Sequence, residues 1–284
     1  VAPGERSRMK TLVVVQARRG SHRLPGKVLR LLAGRPMLVR QLERIEAAKT
    51  SFDLVVATTT DPADDAVASI ARGAGFDVFR GHPTDLLDRH FRAALAAKAD
   101  VVVKIPSDCP LIDPDVIDRV VGTFFHTSGI DYASNLHPPS WPDGNDVEVM
   151  TMGALARAHR EATRDFDREH TTPFLWDQAP HENRFGLLNV TWETGLDLSR
   201  SHRFTVDYEE DFQFVARVYE ELHRAHGVPF SLADILALLE RNPELLSIHA
   251  RYAGVNWYRH HLGELRTKTL ADTRIPEDDR APLA

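Results

Sequence analysis

Three groups of residues in this 284-residue chain have the types and spacing for chemistry on a phosphorylated substrate. The first is the loop Gln16-Ala17-Arg18-Arg19-Gly20-Ser21-His22-Arg23-Leu24-Pro25-Gly26-Lys27, which leaves the apolar run Leu12–Val15. It holds two glycines and four Lys/Arg side chains. From Arg6 to Leu42 there is no Asp or Glu, where the chain average of 41 acids would place roughly five. Backbone N–H groups exposed at glycines can approach a polyphosphate, and Arg18, Arg23 and Lys27 can neutralise its charge. The second group is a pair of aspartates. Asp108 follows the apolar run 100–105, and Asp207 closes the short run Arg203-Phe204-Thr205-Val206. Two carboxylates meeting above one sheet edge can hold a Mg²⁺ that also takes oxygens from substrate phosphates. Each aspartate has a plainer alternative, Asp207 as a helix cap and Asp108 as a turn stabiliser. The third is Thr58-Thr59-Thr60-Asp61, at the end of another apolar run, where a base could be read.

The elements that must position these residues follow from periodicity. Thr11–Val15, Asp53–Thr58, Phe76–Arg80 and Asp100–Ile105 read as strands, most of them apolar on both faces. Between them lie helical stretches at 37–45, 62–74 and 86–97, with a fourth beginning at Pro114. Asp61-Pro62 and Asp113-Pro114 are N-cap and first-turn pairs, and Asp85 is a further cap. Strand and helix alternate, which predicts an α/β fold with a doubly wound, mostly parallel sheet. In such sheets ligands bind outside the carboxyl ends of the strands, where Asp108 falls. From about Ile130 the pattern changes. Asp146-Val147-Glu148-Val149-Met150 alternates as a half-exposed strand, 183–192 reads as another strand, and 203–207 as a return to the sheet. Residues 137–192 therefore read as an inserted flap or dimerisation subdomain of a nucleotide-handling domain spanning 11–227. Tyr208–His226 and Ser231–Glu240 read as helices, the second within a C-terminal segment and tail at 228–284. Residues 1–10 read as a frayed N-terminus.

Composition excludes other classes. A formal net charge of −6 gives no general pull toward nucleic acid. No apolar run approaches membrane-spanning length. The single cysteine, Cys109, excludes an internal disulfide framework and a multi-cysteine zinc site, and fits a cytoplasmic protein. Gly20 and Gly26-Lys27 are five residues apart with Val28 next, so the loop is not a Walker loop. There is no G-x-G-x-x-G after the strand and no G-x-S-x-G.

The run from Gln16 to Leu29 resembles the signature Q-A-R-x-G-S-x-R-L-P-G-K-V-L of spore-coat-polysaccharide cytidylyltransferase-like proteins, relatives of the CMP-sugar-acid synthetases. Those synthetases carry Pro where this chain has Gln16. Ser107-Asp108-Cys109-Pro110-Leu111-Ile112-Asp113 resembles the family's G-D-C-P-L-I-D, with Ser107 in place of Gly. Thr205-Val206-Asp207 with Glu210-Asp211 resembles T-V-D-x-x-E-D. The resemblance implies that Asp108 and Asp207 bind Mg²⁺. It also implies that Gln16, Ala17, Arg18, Gly20, Ser21, Arg23, Lys27 and Ser107, with Thr58 and Thr59, surround CTP. Pro142-Asp143-Gly144-Asn145-Asp146-Val147-Glu148-Val149 resembles P-x-G-x-D-V-E-V, with Asn145 where Leu is usual. Arg168-Glu169-His170-Thr171-Thr172-Pro173 resembles R-E-H-V-T-P. Asp143, Asn145, Asp146, Glu148, Arg168, Glu169 and His170 are thereby expected around the acceptor, or alternatively in an internal salt-bridge network. Asp146 and Glu148 are candidate bases. The implied activity is CMP transfer from CTP to a small sugar, sugar acid, phosphate or phosphonate, with Arg18, Lys27, Asp108 and Asp207 as the catalytic set in a homodimer. A metal-dependent glycosyltransferase and a non-catalytic nucleotide-binding subunit are the alternatives.

Overall fold

Strand β1 (Thr11–Gln16) lies inside the sheet because Leu12, Val13, Val14 and Val15 have no polar face to give to solvent. The computed structural model describes residues 9–179, 182, 184–224 and 227–275. The expected frayed N-terminus falls outside these except for residues 9 and 10, as do residues 276–284 of the tail. β1 pairs in parallel with β4 (Asp53–Thr59) on one side and β6 (Val101–Pro106) on the other. Two short strands, Leu31–Leu32 (β2) and Arg35–Pro36 (β3), make a small separate hairpin. β5 (Asp77–Gly81) continues the parallel part beyond β4. Beyond β6 come β8 (Glu148–Thr151), antiparallel to it, then β7 (Tyr132–Ser134) and β9 (Leu187–Asn189), for a seven-stranded order β5-β4-β1-β6-β8-β7-β9. The register sets Gln16 beside both Ala57 and Pro106. β1 and β6 therefore end level, β4 running two residues further to Thr59, and the loops after β1 and β6 leave side by side.

Both faces are covered. Val13, Val15, Val103 and Ile105 pack against helices α1 (Met37–Glu46) and α4 (Pro114–His126). Leu12, Val14 and Val102 pack against α3 (Leu86–Ala97), α2 (Asp65–Gly73) having lain on the first face. The expected caps form. Asp85 accepts from the Asp88 amide and Asp113 from the Asp115 amide, each at 2.8 Å. Asp61 accepts from Ala63 and caps a 3₁₀ turn, Pro62–Asp64, that leads into α2.

The second half departs from the expectation in three ways. Residues 137–192 do not form a separate flap: β8 and β9 belong to the main sheet, and α5 (Met152–Glu161), α6 (Asp165–His170) and α7 (Pro173–Trp176) pack on its second face. Strand β8 is not half-exposed. It is an interior strand, and Glu148 is buried because Lys104 and Tyr132 bind it. Residues 203–207 are not a strand. That segment crosses the ends of the sheet, with Phe204 N–H donating to Asp143 O (2.6 Å) and Val206 N–H to Asp108 O (2.8 Å).

Helix α8 (Glu209–Leu222) follows, shorter than expected, and residues 225–226 of the expected helix lie outside the described residues. The start of the expected strand at 183 does too. α9 (Leu232–Arg241) begins at the Ser231 cap. Past it, short 3₁₀ segments bury isolated side chains, among them Tyr252 and Tyr258, which explains why no periodicity shows there. Among the described residues no helix is long and apolar enough to cross a membrane.

Gly144 fixes how the 142–146 loop meets the 203–205 segment. Its φ is +100°, and a Cβ there would lie 2.7 Å from both Phe204 C and Thr205 N. Gly144→Ala is expected to cost at least about 2 kcal/mol and lower Tm by several degrees, measured by calorimetry. An unchanged Tm would mean that the two loops are free to separate.

Candidate active site

The level ends of β1 and β6 and the crossing segment 203–207 enclose a cleft of about 460 Å³. Its first wall is the basic loop, shaped by Gly26 at φ +70°, which lets the Gly26 amide donate to Arg19 O (3.0 Å). Asp64 anchors the loop from outside by accepting from the Arg19 amide (2.6 Å), and its second oxygen takes the Thr59 hydroxyl proton. Thr59 thus braces the loop. Thr58 and Thr59 are buried away from the cleft, which corrects their expected role as base readers. Gly20 shapes the loop but does not line the cleft either. Gln16, Ala17, Arg18, Ser21, Arg23, Lys27 and Ser107 all line it.

At the floor, Lys27 Nζ donates to Asp108 (3.2 Å), Asp207 (3.1 Å) and Val206 O (2.5 Å). Its ammonium is neither mobile nor in bulk water: it lies buried between the two aspartates picked out in the sequence. Arg23 reaches Asp207 at 2.7 Å. Behind them Arg203, only 2% exposed, bonds Asp211 through Nε and Nη2 (3.0 and 3.2 Å). Its Nη2 also donates to Asp207 (3.0 Å), and its Nη1 to Asp143 (3.2 Å) and Val255 O (3.0 Å). Asp211 in turn accepts from the Asp207 and Tyr208 amides, 2.9 and 3.0 Å, so one guanidinium and one carboxylate fix the Asp207 backbone and side chain together.

These charges set the protonation of the floor. Burial works to raise Asp207, but Lys27, Arg203 and Arg23 outweigh it and hold that carboxyl far below its usual range. Burial opposes the charge on Lys27, and Asp108 and Asp207 more than restore it, so the ammonium is held above its usual range. Asp143 shifts upward, through burial and despite Arg203, with Asp146, Asp207 and Asp108 adding to the rise. Asp146 is pushed up to about 7 by burial and then by Asp108.

The far wall carries the residues expected around an acceptor. Asp143, Asn145, Asp146, Glu148, Glu169 and His170 line the cleft, but their chemistry differs. The Asn145 amide is occupied within the loops, accepting from the Asp113 amide (3.1 Å) and donating to Pro142 O (3.2 Å). Glu148 accepts a hydrogen bond from the Tyr132 hydroxyl (2.6 Å) and pairs with Lys104. Burial raises this carboxyl, yet Lys104 outweighs it and the net shift is downward, which removes Glu148 as a base. Arg168 does not line the cleft. It binds Asp85 (2.6 Å) and the carbonyls of His159 and Ala162, a brace between α6 and α3.

Among the cleft residues not read from the sequence as site residues are Arg203, Lys104, Arg89 and Trp257. Two carried a signal. A lysine in Val101-Val102-Val103-Lys104-Ile105 needs a buried partner, and Arg203, Asp207 and Asp211 recur at intervals of four. Among the described residues no three His, Cys, Asp or Glu side chains gather as a metal cage. The donor set nevertheless fits a hard divalent ion shared with a substrate: two carboxylates already converge on a single cation, the Lys27 ammonium, and phosphate oxygens supply the rest of the coordination.

Comparison with known proteins places this arrangement. The family described as cytidylyltransferase matches residues 12–241. An uncharacterized protein of Methanocaldococcus jannaschii is 33% identical over 244 residues, covering 85% of this chain and 95% of that protein. The spore coat polysaccharide biosynthesis protein SpsF of Bacillus subtilis is 30% identical over 239 residues, covering 82% and 95%. A solved cytidylyltransferase structure from Leptospira borgpetersenii superposes with a TM-score of 0.77 at 29% identity, covering 84% of this chain and 97% of that one.

Arg203→Met should strand Asp207, Asp211 and Asp143 without their common cation. Breaking such a buried network costs about 3–5 kcal/mol. Urea unfolding of the variant, read by circular dichroism, is expected to show that loss. A loss below about 1 kcal/mol would mean that the aspartates rearrange around other donors.

Proposed function

This chain belongs to the cytidylyltransferase family, and on that premise we propose that it transfers CMP from CTP to a small sugar, sugar acid, phosphate or phosphonate with release of pyrophosphate. The observation that carries the reading is the Lys27 ammonium held between Asp108 and Asp207 beneath a loop bearing Arg18 and Arg23, at the carboxyl ends of parallel strands. In this reaction an acceptor oxygen bonds to the α-phosphorus while the α–β anhydride bond breaks, and its electron pair leaves with pyrophosphate. Little of that is covalent work for the protein, so positioning and charge neutralisation dominate. Arg18 and Arg23 face the cleft and meet the triphosphate. Lys27 is a fixed positive charge whose contact strengthens as charge builds on the leaving group. Asp108 and Asp207 would hold Mg²⁺, which when bound takes phosphate oxygens and offsets their charge. A homodimer belongs to the same reading, and rests on the family resemblance.

For a hydroxyl acceptor a proton must also leave. Asp146 is the carboxyl suited to take it, since it faces the cleft and titrates at about 7. Its upward shift leaves it mostly protonated below that value, so turnover with a hydroxyl acceptor should rise as pH passes through about 7 and level off about a unit above it. In Asp146→Asn that rising limb should vanish and turnover fall at least about tenfold. An unchanged pH profile would remove Asp146 from the proton path.

The charge reading is tested by steady-state pyrophosphate release. Lys27→Met should lower kcat by about a hundredfold or more, about 2.7 kcal/mol, with a smaller change in KM for CTP. Arg30→Met is the control. That guanidinium pairs with Glu209 and lies 3.7 Å over the Phe212 ring, so its loss should change kcat by less than about threefold. Equal, small losses in both folded variants would mean that the loop acts only as a diffuse positive field.

A further inference from the structure

The family match ends at residue 241, yet the cleft is closed by residues beyond it: Val255, Asn256, Trp257, Tyr258, His260 and His261 all line it. This segment is fastened to the site at several points. Val255 O accepts from Arg203 (3.0 Å). Tyr252 stacks on Tyr208, next to Asp207, with ring centroids 3.7 Å apart and planes 1° from parallel. Arg259 donates to the Tyr208 hydroxyl (3.0 Å). From the far side, Arg164 donates to Glu264 O (2.7 Å), and Asp177 accepts from the Arg266 and Thr267 amides at 2.9 Å each. The 255–261 loop is thus held across the mouth of the cleft rather than trailing over the surface.

What the loop presents there is aromatic and mostly uncharged. Trp257 lies against His170 with centroids 4.5 Å apart and against Phe166 at 6.0 Å; His261 meets His170 at 5.1 Å. Trp257 is 36% exposed, so much of its ring still faces outward. His170 Nε2 is buried with no hydrogen-bond partner among the described residues, which leaves one polar contact to be made by an incoming group. Burial, with His261, Lys104 and Arg18 nearby, holds that imidazole neutral, its pKa lowered to about 3. Glu169, also in the cleft, is an acceptor for hydroxyl protons. Of the cations near His170, Lys104 is already paired with Glu148, and Arg18 belongs to the basic loop. An apolar platform with accepting groups beside it suits a ring that has one apolar face and hydroxyls at its edge.

We propose that the C-terminal segment 249–261 is the acceptor-selecting element of this enzyme, and that its Trp257 face, with His170 and His261, receives the ring of a sugar. The proposal rests on the cytidylyltransferase reading and names the acceptor class within it. Trp257 is the surface the sugar packs on, and His170 beside it offers Nε2 to a ring hydroxyl.

The test is pyrophosphate release from CTP and Mg²⁺ with two sets of acceptors. One set is cyclic: neutral hexoses, amino sugars and sugar acids. The other is open-chain: glycerol 3-phosphate and 2-aminoethylphosphonate. A cyclic compound should be the best acceptor. Trp257→Ala should raise KM for it at least about tenfold, with kcat and KM for CTP changing by less than about threefold, and Trp257→Phe should restore most of the loss. Circular dichroism checks the fold, and His261→Ala, at the rim, serves as the second variant if Trp257→Ala unfolds. The proposal is overturned if an open-chain compound is preferred, if no cyclic compound supports release by a protein that binds CTP, or if KM for CTP rises as much as that for the acceptor. A wild-type protein that fails to bind CTP in calorimetry would instead remove the cytidylyl reading beneath it.

Discussion

The buried guanidinium of Arg203 is the interaction on which the rest of the cleft depends. Three aspartates from two parts of the chain, Asp143 and the pair Asp207 and Asp211, converge on it, and Val255 O adds a fourth tie from the C-terminal segment. Without that charge Asp207 and Asp211 would face one another in a low-dielectric setting without their shared partner. With it, and with Lys27 and Arg23, Asp207 is held deprotonated and aimed at Lys27, which completes the chain of alternating charge to Asp108. The acids are therefore fixed in place by cations of this chain and need no ligand to assemble them.

The sheet supplies the other half of the constraint. Because β1 and β6 end in register, the basic loop and the Asp108 loop start from neighbouring points, and the 203–207 segment is pinned over the sheet ends by backbone bonds to Asp108 and Asp143. Local devices then hold each loop at its angle. Asp64 grips the Arg19 amide, and Gly144 allows the 142–146 turn to touch the Phe204 backbone. Such rigid support matters for a phosphoryl-type transfer, in which preorganised charge counts for more than covalent participation.

How much of this was legible from residues alone divides along contact range. The parallel core was readable, since doubly covered strands are apolar throughout and capping aspartates mark helix starts. Lys27, Asp108 and Asp207, singled out in their distinctive loops, are brought together by the fold. The segment 203–207 was misread as a strand: its apolar pattern reflects docking on two loops, which no local period encodes. Thr58 and Thr59 were misplaced for a similar reason, as position at a strand end does not tell which way a side chain faces. Arg168 matched an acceptor motif, yet its partner Asp85 lies 83 residues earlier, so its bracing role exists only in the fold. The C-terminal wall was invisible because its single 3₁₀ turns have no periodicity, and its residues acquire meaning only through Tyr208, Arg203 and His170.

The central claim is that this charge frame serves a cytidine triphosphate. Titration calorimetry of the purified protein with CTP, UTP, ATP and GTP, each with Mg²⁺, tests it most directly. CTP should bind at least about tenfold more tightly than any of the other three, and at about 100 times its Kd should add about 2.7 kcal/mol of stability. Equal affinities for all four nucleotides, or a preference for another base, would contradict the account.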